Sequence, residues 1–422
     1  MAEELDLGEC DVLVIDSGAE YTRVGFGGED EPSIEMRTVV ARADGPSRIG
    51  RVQLAAAGEA AGERGQVFVG EAALAKRGVL ELVRPISRGL VNDWDALEAV
   101  WRECFAAVGA APARTPVLLT EAPLSPRAHR EELVRRCFDA FNVPAVYVGV
   151  QPVLAAFASG RTTALVVELG ASSSHIVPIW EGFVIAHAMR QLGVAGVHLT
   201  EFLARLLTEK GLYFNTPEQL ETVGEIKRRL AYVALDPDLE WLRFGARHAP
   251  APDAAGPGAA ARARSSRPSS ARLDVSRALA ASFELPDGSE AVLTSERFRC
   301  AEALFDPSLL GREEQGLAHC VRGAIDDAPV DLRRDLFAAV VLSGGASLMA
   351  GLGARLEADL ADGVAAGVRV KVHATESPQL LAWQGGAQLA SLPDFQAMWI
   401  SRAEYEVTGA ACVHARCAGS HL

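Results

Sequence analysis

Two short stretches constrain this chain more than anything else in it. In Val12-Leu-Val-Ile-Asp-Ser-Gly-Ala-Glu-Tyr-Thr-Arg-Val-Gly-Phe26 an apolar run ends in Asp16, turns over Ser17, Gly18, Ala19 and Glu20, and resumes as a strand carrying Arg23. Ala164-Leu-Val-Val-Glu-Leu-Gly-Ala-Ser-Ser-Ser-His-Ile-Val-Pro-Ile179 repeats the plan with Glu168 as the acidic residue. Turns of Gly and Ser let backbone N–H groups approach an anion. An acidic residue beside the turn can hold hydrated Mg2+, which prefers oxygen ligands and keeps its waters. Two such hairpins, one from each half of a duplicated chain, can close on a nucleoside triphosphate from both sides.

The 422 residues suffice for two or three ordinary domains and a large core. A net charge of −14 argues against nucleic acid or an anionic membrane surface as the main partner. The seven cysteines (10, 104, 137, 300, 320, 412, 417) are scattered, without a C-x-x-C pair, and read as reduced thiols of a cytosolic protein. Met1-Ala-Glu-Glu-Leu-Asp lacks the basic start and apolar core of a signal peptide, and no apolar run reaches a membrane-spanning length.

Short β-rich runs alternate with helical patterns. Val117–Thr120, Val146–Val148, Ala164–Glu168 and Ala338–Leu342 read as strands, and Pro126–Phe138 and Leu192–Leu207 as helices. Pro144–Ala158 is almost wholly apolar around Gln151 and reads as a buried core helix whose lone amide needs a polar partner. From about 243 to 272 the chain is rich in Ala, Pro, Gly and Ser, with several Arg. That composition predicts a disordered surface insertion, with an acidic partner as the functional alternative to a tolerated loop.

The chain resembles actin from end to end. The hairpins are joined, in the family's order, by Phe68-Val-Gly-Glu-Ala, Asn92-Asp-Trp-Asp, Leu118-Leu-Thr-Glu-Ala-Pro-Leu, Phe141-Asn-Val-Pro-Ala, Tyr232-Val-Ala-Leu-Asp, Phe283-Glu-Leu-Pro-Asp-Gly, Glu296-Arg-Phe-Arg-Cys, Leu342-Ser-Gly-Gly and Met398-Trp-Ile. The resemblance implies an α/β fold of the actin-like ATPase (ribonuclease H-like) class: two duplicated lobes in four subdomains around a nucleotide cleft. Carried over, subdomain 1 would hold 1–36, 85–158 and 381–422, subdomain 2 would hold 37–84, subdomain 3 would hold 159–194 and 313–380, and subdomain 4 would hold 195–312.

By the same resemblance Asp16 is the metal-side acid, Glu168 holds metal-bound water, and Gln151 and His175 orient the attacking water. Such roles suit phosphoryl transfer, which needs positioning and charge neutralisation more than covalent chemistry. Ser17, Gly18, Gly170 and Ser172 match the phosphate turns, and Arg23 stands where a Lys would reach the phosphates. Ser343, Gly344 and Gly345 match the turn nearing phosphates and adenosine, and Lys227 the adenine-side base. The implied cofactors are ATP and Mg2+.

Departures accompany the match. Glu20 stands where the family has Gly. A positive φ there would cost about 1–2 kcal/mol, and a carboxylate near a phosphate up to about 4 kcal/mol. Glu20→Gly is therefore expected to tighten ATP binding at least tenfold. Glu168, Ala171 and Ser172 replace two Asp and a Gly, and Arg228 and Gln379 replace a ribose-side Glu and a Lys near the base. Weaker nucleotide binding and slower hydrolysis follow, leaving at most a slow assembly-linked ATPase.

Of the family's assembly surfaces, the subdomain 2 loop at 56–66 is small and polar, whereas Leu309 and Leu310 keep an apolar plug. The chain extends five residues past Cys417. The expectation is a cytoplasmic, cytoskeletal protein that binds ATP and self-associates into filaments, with actin-binding-type proteins as possible partners and neither nucleic acid nor membrane insertion. The alternative is a non-polymerising actin-related adaptor or subunit of a larger complex. Sugar kinases and heat-shock chaperones share the superfamily but stand lower, because the ordered motifs are actin's and no further domain follows residue 422.

Overall fold

A computed structural model describes residues 11–42, 67–244, 280–365 and 367–417. The subdomain 2 loop, most of the 243–272 insertion and the five residues after Cys417 lie outside them. The chain clusters into two compact units: Met1–Gly196 with His319–Ser347 and Ala365–Leu422, and Val197–Ala318 with Leu348–Val364.

The first unit is built on two sheets of the same plan. One runs in the order Ile400–Ser401, Ala145–Val150, Val117–Glu121, Leu13–Ser17, Tyr21–Phe26, Ile34–Arg37. The other runs Phe183–Val184, Ser174–Trp180, Ala164–Leu169, Val340–Ser343, Val372–His373. In each, an antiparallel hairpin is joined to two parallel strands. The inner strands are buried on both faces, which is why they read as continuous apolar runs rather than alternating ones.

Pro144–Ala158 is not one helix. It divides into strand Ala145–Val150 and helix Gln151–Ala158. Burial on all sides erases the periodicity that separates the two, and the break is marked only by Pro152 in the first helical turn. The helix beginning near Pro126 runs Arg127–Phe141 and stops at Asn142 in the left-handed region (φ 57°). Leu192 closes a short strand, Arg190–Leu192, before helix Gly196–Thr208 begins. Ala338 belongs to a helix, and its strand starts at Val340.

Helix Gln151–Ala158 serves both sheets. Leu154 sits in the core of the first with Val14, Leu118 and Trp383, while Ala155 and Ala156 sit in the core of the second with Val166, Val177 and Val341. Helix Leu381–Ala390 packs against it so closely that a Cβ on Gly385 would stand 1.9 Å from the Leu154 carbonyl oxygen. The fully buried Trp383 fixes this helix to the first sheet by donating its indole N–H to Val14 O at 3.2 Å.

The second unit packs helices Pro217–Leu230, Pro237–Arg243, Glu296–Glu302 and Leu352–Ala361 with hairpin Ala281–Glu284/Glu290–Leu293. Thr216 and Gln219 form a capping box that starts the first of these. Phe298 gathers the rings of Tyr232, Trp241 and Phe244. Six of the seven cysteines are described, and all six are buried. Among the described residues no helix is long and apolar enough to cross a membrane.

Candidate functional site

Both hairpins carry their acidic residue at the same register position. Asp16 lies opposite Arg23 and Glu168 opposite His175. Each turn is closed alike, Gly18 N–H donating to Tyr21 O and Gly170 N–H to Ser173 O, both at 2.9 Å. A Cβ at either glycine would press on that carbonyl, at 3.0 Å for Gly18 and 2.7 Å for Gly170, so the tight turns require the missing side chain.

Asp16 is 4% exposed and already engaged. Its Oδ1 accepts from Thr120 Oγ1 at 2.6 Å and Gln151 Nε2 at 2.9 Å, and its Oδ2 lies 3.7 Å from Arg23 Nη1. A carboxylate only accepts, so the Gln151 amide must present NH2 to Asp16, which leaves its carbonyl oxygen to accept from water. Thr120 is the last residue but one of strand Val117–Glu121, which runs parallel to that of Asp16. It went unassigned in the sequence, where only its place at a strand end beside the acidic strand could have marked it.

Arg23 is held inward. Its Nε donates to Glu35 at 2.9 Å, so the guanidinium lies between two carboxylates. Glu20 has a charged partner within the chain. It is absent from the positive-φ residues of the described chain, and its Oε1 lies 3.4 Å from Arg37 Nη1. The strain cost therefore vanishes and much of the charge is offset. Glu20→Gln is expected to change the ATP dissociation constant by less than about threefold, the scale of a half-exposed ion pair. A gain of tenfold or more in a calorimetric titration would put the carboxylate back against the phosphates.

In the second hairpin His175 is buried, its Nδ1 3.8 Å from Glu168 Oε2. That Glu168 oxygen is itself buried without a hydrogen-bond partner. An unpartnered buried carboxylate oxygen costs about 1–3 kcal/mol, and a hydrated cation would satisfy it, so the donor set fits Mg2+. Ala171 supplies no carboxylate, and Ser172 is half-buried in the turn. Ser343 is paired in register with Glu168. The next residue, Gly344, has φ 87°, and a Cβ there would stand 2.4 Å from Leu169 O, so the Ser343–Gly345 turn adjoins the second hairpin. Gly345 faces open space, and Gln379 keeps a buried, unpartnered Oε1.

Asp16, Ser17, Gly18, Arg23, Gln151, Glu168, Gly170, Ser172, His175, Gly344 and Gly345 thus fall in the first unit. Lys227 and Arg228 belong to the second, where Lys227 Nζ donates to Thr200 Oγ1 at 2.8 Å and Arg228 pairs with Glu225 at 3.3 Å. Of the plug leucines, Leu309 is exposed and Leu310 half-buried in a short turn of 3-10 helix. Trp101, which no local sequence signal marks, donates its indole N–H to Ser17 Oγ at 3.1 Å. A family model described as Actin matches residues 7–418.

Proposed function

The chain belongs to the actin family, and from that premise we propose that it binds ATP with Mg2+ at the paired hairpins, hydrolyses it slowly and assembles into filaments. The observation that carries the reading is the matched pair of acidic residues, Asp16 and Glu168, each one residue before or at the strand end that leads into a glycine turn. Asp16 and Glu168 would hold the metal through its waters, and Ser17, Gly18, Gly170, Ser172 and Gly344 would line the phosphates. When bound, Mg2+ supplies charge neutralisation at the phosphates.

The chain's own residues do the positioning. Gln151, fixed by Asp16 and Thr120, offers its carbonyl oxygen to a water. His175 is close enough to Glu168 to be oriented by it. Slow turnover follows from two features: Ala171 has no carboxylate to orient metal or water, and Arg23 spends its charge on Asp16 and Glu35. Nucleotide can stabilise one state of the protein only by its differential affinity for that state, so assembly should depend on it.

High-speed pelleting over a concentration series, with and without MgATP, tests the proposal. Pelleting above a critical concentration only with MgATP is the expected result. Protein that binds ATP yet stays soluble at every concentration would sink the filament reading and favour a non-polymerising subunit of a larger assembly.

A further inference from the structure

We propose that Trp101 is a positioning residue for the first hairpin: its indole N–H holds the Ser17 hydroxyl as an acceptor and so commits the hydroxyl proton to a phosphate oxygen. The inference rests on the ATP reading of the site and adds to it a residue outside the hairpins.

Trp101 lies on helix Trp94–Val108 and is 2% exposed. Its ring is wedged in the first core, tilted against Phe141 with ring centroids 6.2 Å apart. An indole N–H can only donate, and a buried one needs an acceptor. Ser17 Oγ, at 3.1 Å, is that acceptor. A hydroxyl that accepts on one side still has a proton to give. No protein acceptor for it is recorded among the described residues, and Ser17 sits between the acidic residue and the glycine of the turn. The helix is also well anchored: Asp93 accepts from Ala96 N–H at its start, and Gly109 closes it in the left-handed region. Ser17 is therefore oriented by a fixed donor rather than left to rotate.

The test combines Trp101→Phe, Ser17→Ala and the double variant. ATP affinity is measured calorimetrically in the presence of Mg2+, and tryptophan emission is recorded as the wild-type minus Trp101→Phe difference. Each single change is expected to weaken ATP binding by about threefold to tenfold, the range of one hydrogen bond. The double variant should lose no more than about twofold beyond the larger single effect, because both remove one interaction. MgATP should alter the Trp101 emission of wild type, and Ser17→Ala should abolish that response. A core role alone would lower the melting temperature without these signatures. Unchanged affinity in Trp101→Phe, or losses that add in the double variant, would overturn the inference while leaving the ATP reading intact. If Trp101→Phe does not fold, unchanged ATP affinity in Ser17→Ala overturns it. Wild-type protein that binds no ATP defeats the reading and the inference together.

Discussion

Gly385→Ala is expected to destabilise the protein by more than about 3 kcal/mol, beyond the usual cost of overpacking a core. The added methyl would meet the Leu154 carbonyl oxygen at 1.9 Å, its carbon at 2.5 Å and Cα at 2.9 Å. These are backbone atoms, so no side chain can swing aside. Helices Gln151–Ala158 and Leu381–Ala390 would have to separate, opening both cores. Gly224→Ala is the control. Gly224 lies inside helix Pro217–Leu230, where a methyl meets only Thr200 Cγ2 at 3.9 Å. There alanine should stabilise by about 0.5–1 kcal/mol through its helix propensity. Urea melts of both variants decide the matter; equal stability for Gly385→Ala and wild type would mean the two helices are not in close contact.

Arg130→Met should cost about 3 kcal/mol, the low end for breaking a buried pair. Arg130 and Glu121 are both nearly fully buried, and Arg130 Nε and Nη2 both donate to Glu121 Oε1. Arg130 Nη1 also donates to Cys417 O at 3.3 Å, tying down the end of the described chain. The pair borders a pocket of about 280 Å3, which lets water temper the loss. Glu121→Met in the same protein should restore much of the stability, since the orphaned charge is then gone. Burial raises the Glu121 carboxyl above its usual range, and its hydrogen bonds to Arg130 act the other way. Without Arg130, burial is unopposed. A carboxyl whose folded pKa is raised takes up a proton on folding, so its contribution is fully present below the unfolded pKa and is lost as pH rises through the folded one. The deficit of Arg130→Met relative to wild type should therefore be smaller at pH 5 than at pH 8. A larger deficit at pH 5 in urea melts would refute this account.

How much of this was legible in the sequence depended on range. The two hairpins, each with its acidic residue before a small-residue turn, could be read because strand, turn and returning strand are contiguous in the chain. Family membership was legible from ordered motifs spread along the chain. The fate of Glu20 was not, because its partner Arg37 sits on a neighbouring strand and nothing local announces the contact. The bond from Arg23 to the cross-strand Glu35 was equally hidden, since it joins two strands of the sheet. Thr120 and Trp101 reach the first hairpin from distant elements. The strand-to-helix switch at Gln151 was hidden for another reason: a run buried on every side carries no amphipathic signature.

The helix that serves both sheets also bears on how the first unit comes apart. Neighbouring residues of one short helix, Leu154 on one side and Ala155 and Ala156 on the other, fill different cores. Neither half can therefore melt without uncovering the other. Amide protons of strands Leu13–Ser17 and Ala164–Leu169 should exchange with solvent in a single opening event. A chain cut between residues 158 and 164 would leave one fragment with an unpaired apolar stripe and the other with an uncovered sheet, each soluble only in the company of its complement.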